Sequence, residues 1–418
     1  MPDARPRGRS DADGSPSAAV RRHAVAMAAL LVLFPGVARP AELSAEAARI
    51  VAQLKNTLLE VQVVDISTGT KSSAGTGFRV APAGFVVTNY HVVSKFVEYP
   101  ALHRIRCIAT DRSETPATLV DVDVVNDVAL LKVQPPGPEV LQLVDKPPEK
   151  GARIFALGFP MELGLTVVEG TYNGVIKESL YGRIHLTASL NSGMSGGPAV
   201  TAAGSVMGIN VATRGNQISF LVPVESARVL IQRQSKQGAK VAPDLRQRIG
   251  LQLLENQERY IGDLLKRPLP TIELGNYAVP GQLAPYLKCW GSSSHEPGNR
   301  YRSSRYLCEI EESLFLSPSH RTGFLSLTHV LVSSQQMSRF GLYQLYHNEF
   351  QGSYASIAAW KNDVTNFDCT TRFVTSNGLT FRVVFCLRAY KRFPGLYDAV
   401  LHVATRGTCE SIGASTAS

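Results

Sequence analysis

Residues 193–198 read Gly193-Met194-Ser195-Gly196-Gly197-Pro198, a serine enclosed by glycines and followed by a proline. Glycine takes positive φ angles without steric cost and lets the backbone approach a ligand closely, so the hexapeptide predicts a tight, exposed loop. A serine hydroxyl is a weak nucleophile that needs a neighbouring base and hydrogen-bond donors for the oxyanion it forms. In such a loop the backbone N–H groups of Gly193 and Ser195 can form an oxyanion hole. The alternative is an ordinary Gly/Ser turn.

The partners that such a serine requires stand upstream, in the order His, Asp, Ser. His91 follows the apolar run Gly84-Phe85-Val86-Val87, and Asp127 precedes the apolar run 128–133. This is one of the known chain orders of a Ser-His-Asp triad, whose members meet in space rather than in sequence. The pattern therefore predicts Ser195 as the nucleophile, His91 as the general base and Asp127 as the residue that orients the imidazole. Taken singly, His91 could be a core histidine and Asp127 a strand cap.

Three further motifs accompany these residues: Gly75-Thr76-Gly77-Phe78, Leu157-Gly158-Phe159-Pro160 and Gly208-Ile209-Asn210. With them, residues 45–235 resemble trypsin-like serine proteases, most closely the HtrA/Deg branch of bacterial envelopes and organelles. The resemblance implies a serine endopeptidase without a cofactor, acting on unfolded or misfolded exported proteins. Relatives of this branch are often trimers, so an oligomer is possible, although the sequence carries no trimerisation signature.

Short apolar runs bounded by Gly, Pro, Asn and Asp fill the chain from about residue 60 to 222. Such runs predict strands, and this many short strands with turns between them predict two packed antiparallel β-barrels. The predicted strands are 59–65, 75–80, 84–88, 104–110, 116–122, 128–133, 153–158, 165–177, 183–189, 198–202, 205–213 and 217–222. The spacing of apolar residues predicts helices at 42–60, 223–234 and 243–266.

The composition predicts four segments along the chain. Residues 1–38 combine a polar, disordered extension with a basic stretch, a short apolar run and a small-x-small site, which is typical of a secretory signal peptide. The apolar run falls short of the ~20 residues that span a bilayer, and an uncleaved anchor is the alternative. A trypsin-like protease domain at 39–235 and a helical connector at 236–270 follow. We expect an exported protein, periplasmic or secreted.

The fourth segment, residues 271–418, holds both tryptophans and every cysteine except Cys107. Its apolar runs at 323–328 and 379–385 read as strands, so we expect a mainly β protein whose C-terminal domain is β-rich α+β. Relatives of the HtrA branch usually carry PDZ domains here. The segment has no glycine-rich carboxylate-binding loop leading into a strand, so a PDZ domain is not supported and the function of the segment stays open.

The cysteines of an exported chain favour disulfides. We expect the pairs Cys289–Cys308 and Cys369–Cys386, whose separations suit hairpins. Cys409 would then remain, with Cys107 as its one available partner. Other pairings and free buried cysteines are the alternatives. No Cys-x-x-C motif is present, so a tetrahedral zinc site is not expected, and no other metal is predicted.

The resemblance also places a primary specificity pocket. In trypsin-like folds the residue six places before the nucleophile lies at the pocket floor, and here it is Ser189. Burying an unpaired lysine beside it would carry the desolvation cost of a charge, so we expect apolar residues just before the cut. A carboxylate reaching in from a loop such as that of Glu162 would reverse this preference. The edge formed by Asn210, Val211 and Ala212 is expected to pair with the substrate backbone.

The overall charge of +9 is modest for 418 residues. No dense Lys/Arg run interleaved with aromatic residues is present, so a nucleic-acid partner is not supported. Two other classes of function stay open: a catalytically silent peptide-binding or sensing protein that keeps the protease fold, and an interaction protein that acts through residues 271–418.

Overall fold

The computed structural model describes residues 41–137, 139–213, 215–237, 244–294, 298–352, 359–376, 378–405 and 410–417. The predicted signal peptide and Cys409 lie outside these ranges. None of the described helices is long and apolar enough to cross a membrane.

Six antiparallel strands close the first barrel. They are β1 Leu58–Asp65, β2 Lys71–Ala81, β3 Phe85–Thr88, β4 His103–Ile108, β5 Glu114–Asp123 and β6 Val128–Val133. Their order around the barrel is β1-β2-β3-β6-β5-β4. Along β1, Leu59, Val61 and Val63 belong to one apolar core and Leu58 belongs to another, because side chains alternate between the two faces of a strand.

The second barrel repeats this design. Its strands are β7 Arg153–Gly158, β8 Thr166–Val175, β9 Ile184–Thr187, β10 Pro198–Thr201, β11 Val206–Thr213 and β12 Ile218–Pro223, in the order β10-β11-β12-β9-β8-β7. Every strand predicted between residues 59 and 222 has a counterpart, and the two predicted antiparallel barrels are confirmed. Leu58 and Phe85 of the first barrel share a buried core with Phe155, Leu157 and Ile209 of the second, which fixes the groove between them.

Four helices flank the barrels: α1 Ala41–Leu54, α2 Tyr90–Glu98, α3 Val224–Gln237 and α4 Leu245–Leu265. The helix predicted at 42–60 is too long, because β1 already begins at Leu58. The sequence did not predict α2, since β-branched valines lower helix propensity. Val93 and Val97 nevertheless fall one helical turn apart on a buried face, and that burial favours the helix.

The C-terminal region is built around a seven-stranded antiparallel sheet. Its elements are β13 Thr271–Leu274, β14 Tyr277–Pro280, β15 Leu287–Ser294, β16 Arg302–Ile310, β17 Leu314–Ser317, β18 His320–Thr322, β19 Ser326–Ser333, α5 Arg339–Gly352, β20 Asp368–Ser376, β21 Leu379–Ala389, β22 Tyr397–Thr405 and β23 Glu410–Ala417. The large sheet has the order β15-β16-β19-β23-β22-β21-β20, and β17 and β18 form a separate hairpin. The expected β-rich α+β character is confirmed.

Two disulfides link neighbouring strands of this sheet. Cys289 in β15 bonds Cys308 in β16, and Cys369 in β20 bonds Cys386 in β21. Each pair stands directly opposite in the strand register, as expected from the sequence separation. Both predicted pairs are confirmed. Cys107 is a free thiol buried in the first barrel.

The C-terminal region packs on the helix that carries His91. Leu314 and Leu316 of the β17–β18 hairpin share a core with Ile249 and Leu253 of α4 and with Val93 of α2. Contacts divide the chain into Met1–Glu42, of which only 41–42 fall in the described ranges, and Leu43–Ser418, which is one compact unit. The boundaries of the four segments stay a prediction.

Candidate active site

His91 and Asp127 meet at one end of the first barrel. His91 lies in the first turn of α2, directly after β3, and Asp127 lies just before β6 with a positive φ of 62°. One Asp127 carboxylate oxygen accepts the backbone N–H of His91 at 2.8 Å, and the other lies 2.7 Å from His91 Nδ1. A carboxylate only accepts hydrogen bonds, so Nδ1 carries the proton in this contact and Nε2 remains as the acceptor.

The backbone of Asp127 is held as firmly as its side chain. Its carbonyl oxygen accepts a hydrogen bond from Asn89 Nδ2 at 2.8 Å and another from the backbone N–H of Tyr90 at 3.3 Å. A non-glycine residue with positive φ is strained and persists only where its surroundings hold it. The side chain of Asp127 is 10% exposed and that of His91 is 25% exposed, so the histidine faces the groove while its partner is covered.

Ser195 lies in the loop between β9 and β10. Its carbonyl oxygen accepts the backbone N–H of Thr76 in β2 at 2.8 Å. A methyl group built on Gly75 would lie 2.9 Å from that oxygen and 2.5 Å from Val92 Cγ2. Gly75 therefore lies between Val92 and the Ser195 loop, and the space at this position is too small for any side chain. The structure thus pairs His91 with Asp127 and holds the Ser195 loop against β2. The catalytic roles of the three residues stay a prediction.

Two loop glycines have the positive φ angles that the sequence predicted, 94° at Gly193 and 85° at Gly196. A methyl group on Gly193 would lie 2.4 Å from the carbonyl oxygen of Phe159, and one on Gly196 would lie 2.2 Å from that of Thr76. Met194 is fully buried in the core of the second barrel. The loop is thus closely packed against both barrels, which fixes the backbone around Ser195.

The N–H groups of this loop divide into used and unused donors. Those of Met194, Gly196 and Gly197 donate to backbone carbonyl oxygens at 2.9–3.0 Å. Among the described residues, the N–H groups of Gly193 and Ser195 donate to no protein atom.

The direction of the Gly193 amide follows from its neighbours. The carbonyl oxygen of Ser192 accepts the N–H of Met161 at 3.2 Å. Because the peptide is trans, the N–H of Gly193 points away from Met161. The carbonyl oxygen of Gly193 accepts the Thr76 hydroxyl at 2.7 Å, and that hydroxyl accepts the N–H of Phe159 at 3.0 Å. The sequence marked Thr76 only as part of a family motif and gave no sign of this bridging position.

The predicted substrate-binding residues take different positions. Ser189 is exposed. Val211 stands in a bulge of β11, half-buried, and Ala212 resumes the pairing with β12 opposite Phe220. Asn210 departs from the expectation. It is fully buried, its backbone groups bond Gly196 and Gly197, and its side-chain amide donates to the Leu157 and Met194 carbonyl oxygens. Asn210 therefore supports the Ser195 loop, and its fully buried side chain is not accessible to a substrate.

A cleft of about 390 Å³ opens beside His91 and Asp127. Its lining includes Val211 and Thr213 of β11 and also Phe315 and Arg321 of the C-terminal region. The Phe315 ring contacts the His91 ring edge-on, with 5.7 Å between centroids. Nothing in the sequence indicated that a residue outside the barrels reaches the site. Within the described ranges, no cluster of three or more His, Cys, Asp or Glu side chains is arranged to hold a metal ion.

Comparison with known proteins agrees with this geometry. Residues 75–209 match the family described as trypsin-like peptidase domain. A serine protease HTRA1 of Xenopus laevis is 27% identical over 50% of this chain and 47% of its own length. A probable periplasmic serine endoprotease DegP-like of Pseudomonas fluorescens is 33% identical over 41% of this chain and 36% of its own length. Serine protease HTRA3 of Homo sapiens is 31% identical over 40% and 39% respectively.

Among solved structures, the serine endoprotease from Yersinia pestis aligns with 46% of this chain and 67% of its own, at 23% identity and a TM-score of 0.40. Deg5 aligns with 45% and 93%, at 24% identity and the same TM-score. The chain spans less than half the length of these curated relatives. The predicted resemblance of residues 45–235 to trypsin-like serine proteases of the HtrA branch is confirmed.

Proposed function

We propose that the protein is a serine endopeptidase that hydrolyses peptide bonds through Ser195, His91 and Asp127. The observation that carries this proposal is the 2.7 Å contact between His91 Nδ1 and Asp127 Oδ2. A buried carboxylate on Nδ1 leaves Nε2 free to take a proton, which is the arrangement that activates a serine. The match to the trypsin-like peptidase domain and the serine protease relatives support the same class of enzyme.

In the proposed mechanism, Ser195 Oγ attacks the carbonyl carbon of the scissile bond while His91 Nε2 takes its proton. The negative charge that develops on the carbonyl oxygen is held by the N–H groups of Gly193 and Ser195, which have no other protein partner among the described residues. Asp127 stabilises the imidazolium, and His91 then gives its proton to the leaving amine. Water then attacks the carbonyl carbon of the acyl-enzyme while His91 Nε2 takes a proton from it. The bond from this carbon to Ser195 Oγ breaks, the proton returns from His91 to Oγ, and the carboxylic acid product leaves. Fixed donors avoid reorganisation during the reaction, which is the reason such holes accelerate it.

The proposed substrates are exported, unfolded proteins cut after apolar residues. Ser189 stands where the resemblance places the pocket floor, and a serine offers no charge to a lysine or arginine. Val211 and Ala212 lie at the bulge of β11, where an extended substrate would add to the strand. The word periplasmic in the names of the DegP-like relatives supports an exported location, periplasmic or secreted.

The decisive experiment compares casein cleavage by the purified wild-type protein with that by Ser195→Ala. We expect a loss of ~10⁴–10⁶-fold in kcat, as for triad serines generally. Ser192→Ala is the matched control, because its exposed hydroxyl lies in the same loop and should leave activity unchanged. A fluorophosphonate probe should label the wild type at Ser195. If Ser195→Ala cleaved casein as fast as the wild type, the proposal would be wrong.

A second measurement separates the proposed enzyme from a silent peptide-binding protein. Absence of both labelling and cleavage, together with saturable binding of unfolded casein, would favour the silent protein. For substrate preference, mass spectrometry of cleavage products should find mostly Val, Ile, Leu or Met before the cut. Dominant cleavage after Lys or Arg would contradict the apolar pocket.

A further inference from the structure

The cleft beside His91 has one wall that the barrels do not supply. Ile310, Leu314 and Phe315 of the C-terminal region line it together with Val211 and Thr213 of β11. The matched family segment ends at residue 209, so Ile310, Leu314 and Phe315 lie outside it.

The wall is anchored to the barrels on both sides of Phe315. On one side, the Glu312 carboxylate accepts hydrogen bonds from the Ser179 hydroxyl at 2.5 Å and from the N–H groups of Leu180 and Tyr181 at 3.0 and 3.3 Å. On the other, the Tyr90 hydroxyl donates to the carbonyl oxygen of Leu316 at 3.0 Å. Burial and the charge of Asp127 raise the pKa of Tyr90, so this hydroxyl stays protonated and remains a donor.

Phe315 is the residue of this wall that contacts the predicted general base. Its ring lies edge-on to His91 with the planes at 61°. The guanidinium of Arg321 lies over the Phe315 ring, 5.5 Å from its centre, in a cation–π contact. The ring is half-buried, so part of it remains available to a ligand in the cleft.

The substrate side chain that would reach this ring follows from the alternation of an extended peptide. Successive side chains point to opposite faces of a strand. Ser189 is exposed and does not line the cleft. If the residue before the cut points toward Ser189, the residue before that one points to the opposite face, where Val211, His91 and Phe315 line the cleft. In a peptide added to β11 at Val211, this second side chain, two residues before the scissile bond, would therefore lie against His91 and Phe315.

We infer that Phe315 is a specificity-determining residue, and that the C-terminal region selects aliphatic side chains at the position two residues before the cut. This inference rests on the proposed peptidase function. Burial of an aliphatic side chain against the ring removes apolar surface from water on both partners, whereas a glycine at that position gains nothing from it.

The test measures kcat/KM for two fluorogenic peptides that differ only by leucine or glycine two residues before the cut, with the full chain as enzyme. We expect the wild type to prefer the leucine peptide by about 10-fold, the range of a few buried methylenes in an apolar pocket. Phe315→Ala should reduce the preference to about 2-fold or less and leave the glycine peptide almost unchanged. Phe373→Ala, at an exposed aromatic on β20, should keep the wild-type preference.

The outcomes separate this inference from the proposed function. If the wild type cleaves neither peptide and reacts with no fluorophosphonate, the peptidase proposal fails. If it cleaves both and Phe315→Ala keeps the full leucine preference, the role of Phe315 is overturned. A general loss of structure in Phe315→Ala would lower kcat/KM for both peptides and also the labelling of Ser195. Phe315→Leu answers that case, because it keeps an apolar side chain in the wall, and it should retain part of the preference with full labelling.

Discussion

The hydroxyl of Thr76 donates a hydrogen bond to the carbonyl oxygen of Gly193 at 2.7 Å, joining β2 of the first barrel to the serine loop of the second. The same oxygen atom of Thr76 accepts the N–H of Phe159 at 3.0 Å. Thr76 is fully buried, so both bonds are shielded from water. This one side chain therefore holds the carbonyl group of Gly193, the residue whose own N–H is proposed to bind the oxyanion.

Thr76→Val keeps the shape of the side chain and removes the hydroxyl. We expect kcat to fall about 10–100-fold with KM little changed, below the ~10²–10³-fold loss caused by deleting an oxyanion donor outright. Thr76→Ser keeps the hydroxyl and is the matched control, with activity within a few-fold of the wild type. Steady-state kinetics on one fluorogenic peptide measures both. Equal activity of the valine and serine variants would show that the bridge does not support catalysis.

Asp121 joins two helices to the first barrel. Its side chain is fully buried in β5 and pairs with Arg233 of α3 at 2.8 Å and with Arg248 of α4. Removing a buried ion-pair partner costs ~3–5 kcal/mol, but these arginines are about one-third and one-quarter exposed and can regain water. We expect Asp121→Ala to lower the free energy of unfolding by about 2–3 kcal/mol.

Urea titration measures this effect, with Asp145→Ala as the control. Asp145 is 95% exposed and 3.9 Å from Arg228, so its removal should change stability by less than ~1 kcal/mol. Similar unfolding midpoints for the two variants would contradict the anchoring role of Asp121.

The Cys107 thiol should resist alkylation in the folded protein. It is 1% exposed, and burial raises its pKa to about 12. The thiolate is the reactive form, so at about pH 8 almost none is present and iodoacetamide has no access to it. Peptide mapping should find Cys107 unmodified in the native protein and modified after unfolding without reductant. Rapid labelling of the native protein would mean that the first barrel opens locally.

Gly262 lies within α4 at a position that does not require a glycine. A methyl group built there meets no atom within 4 Å. Gly262→Ala should therefore raise the free energy of unfolding by about 0.5–1 kcal/mol, because alanine loses less backbone entropy in a helix. Gly275→Ala is the opposite case, since its φ is 61° and its methyl group would lie 2.5 Å from Leu331 Cδ2. Thermal unfolding that ranked Gly275→Ala as the more stable variant would refute this account.

The two barrels could be predicted from the sequence alone, and the predicted triad was proposed from the same local patterns. Each strand corresponds to a short apolar run with turn residues at its ends. This signal is local, so it can be recognised without knowing which strand pairs with which. The glycines around Ser195 also follow from local backbone demands, and the positive φ angles at Gly193 and Gly196 agree with them. The cysteine separations pointed to both disulfides for the same reason, since hairpin partners stand close along the chain.

The way in which distant segments support the site could not be predicted, because it depends on tertiary packing. The helix α2 depends on burial of valines that disfavour a helix in isolation. The bond from Thr76 to Gly193 and the contact of Phe315 with His91 join residues far apart in the chain. No periodicity or turn signal encodes such a pair, because its energy arises only when the barrels and the C-terminal region pack together. The buried position of Asn210 has the same origin, since its partners come from β7 and the serine loop.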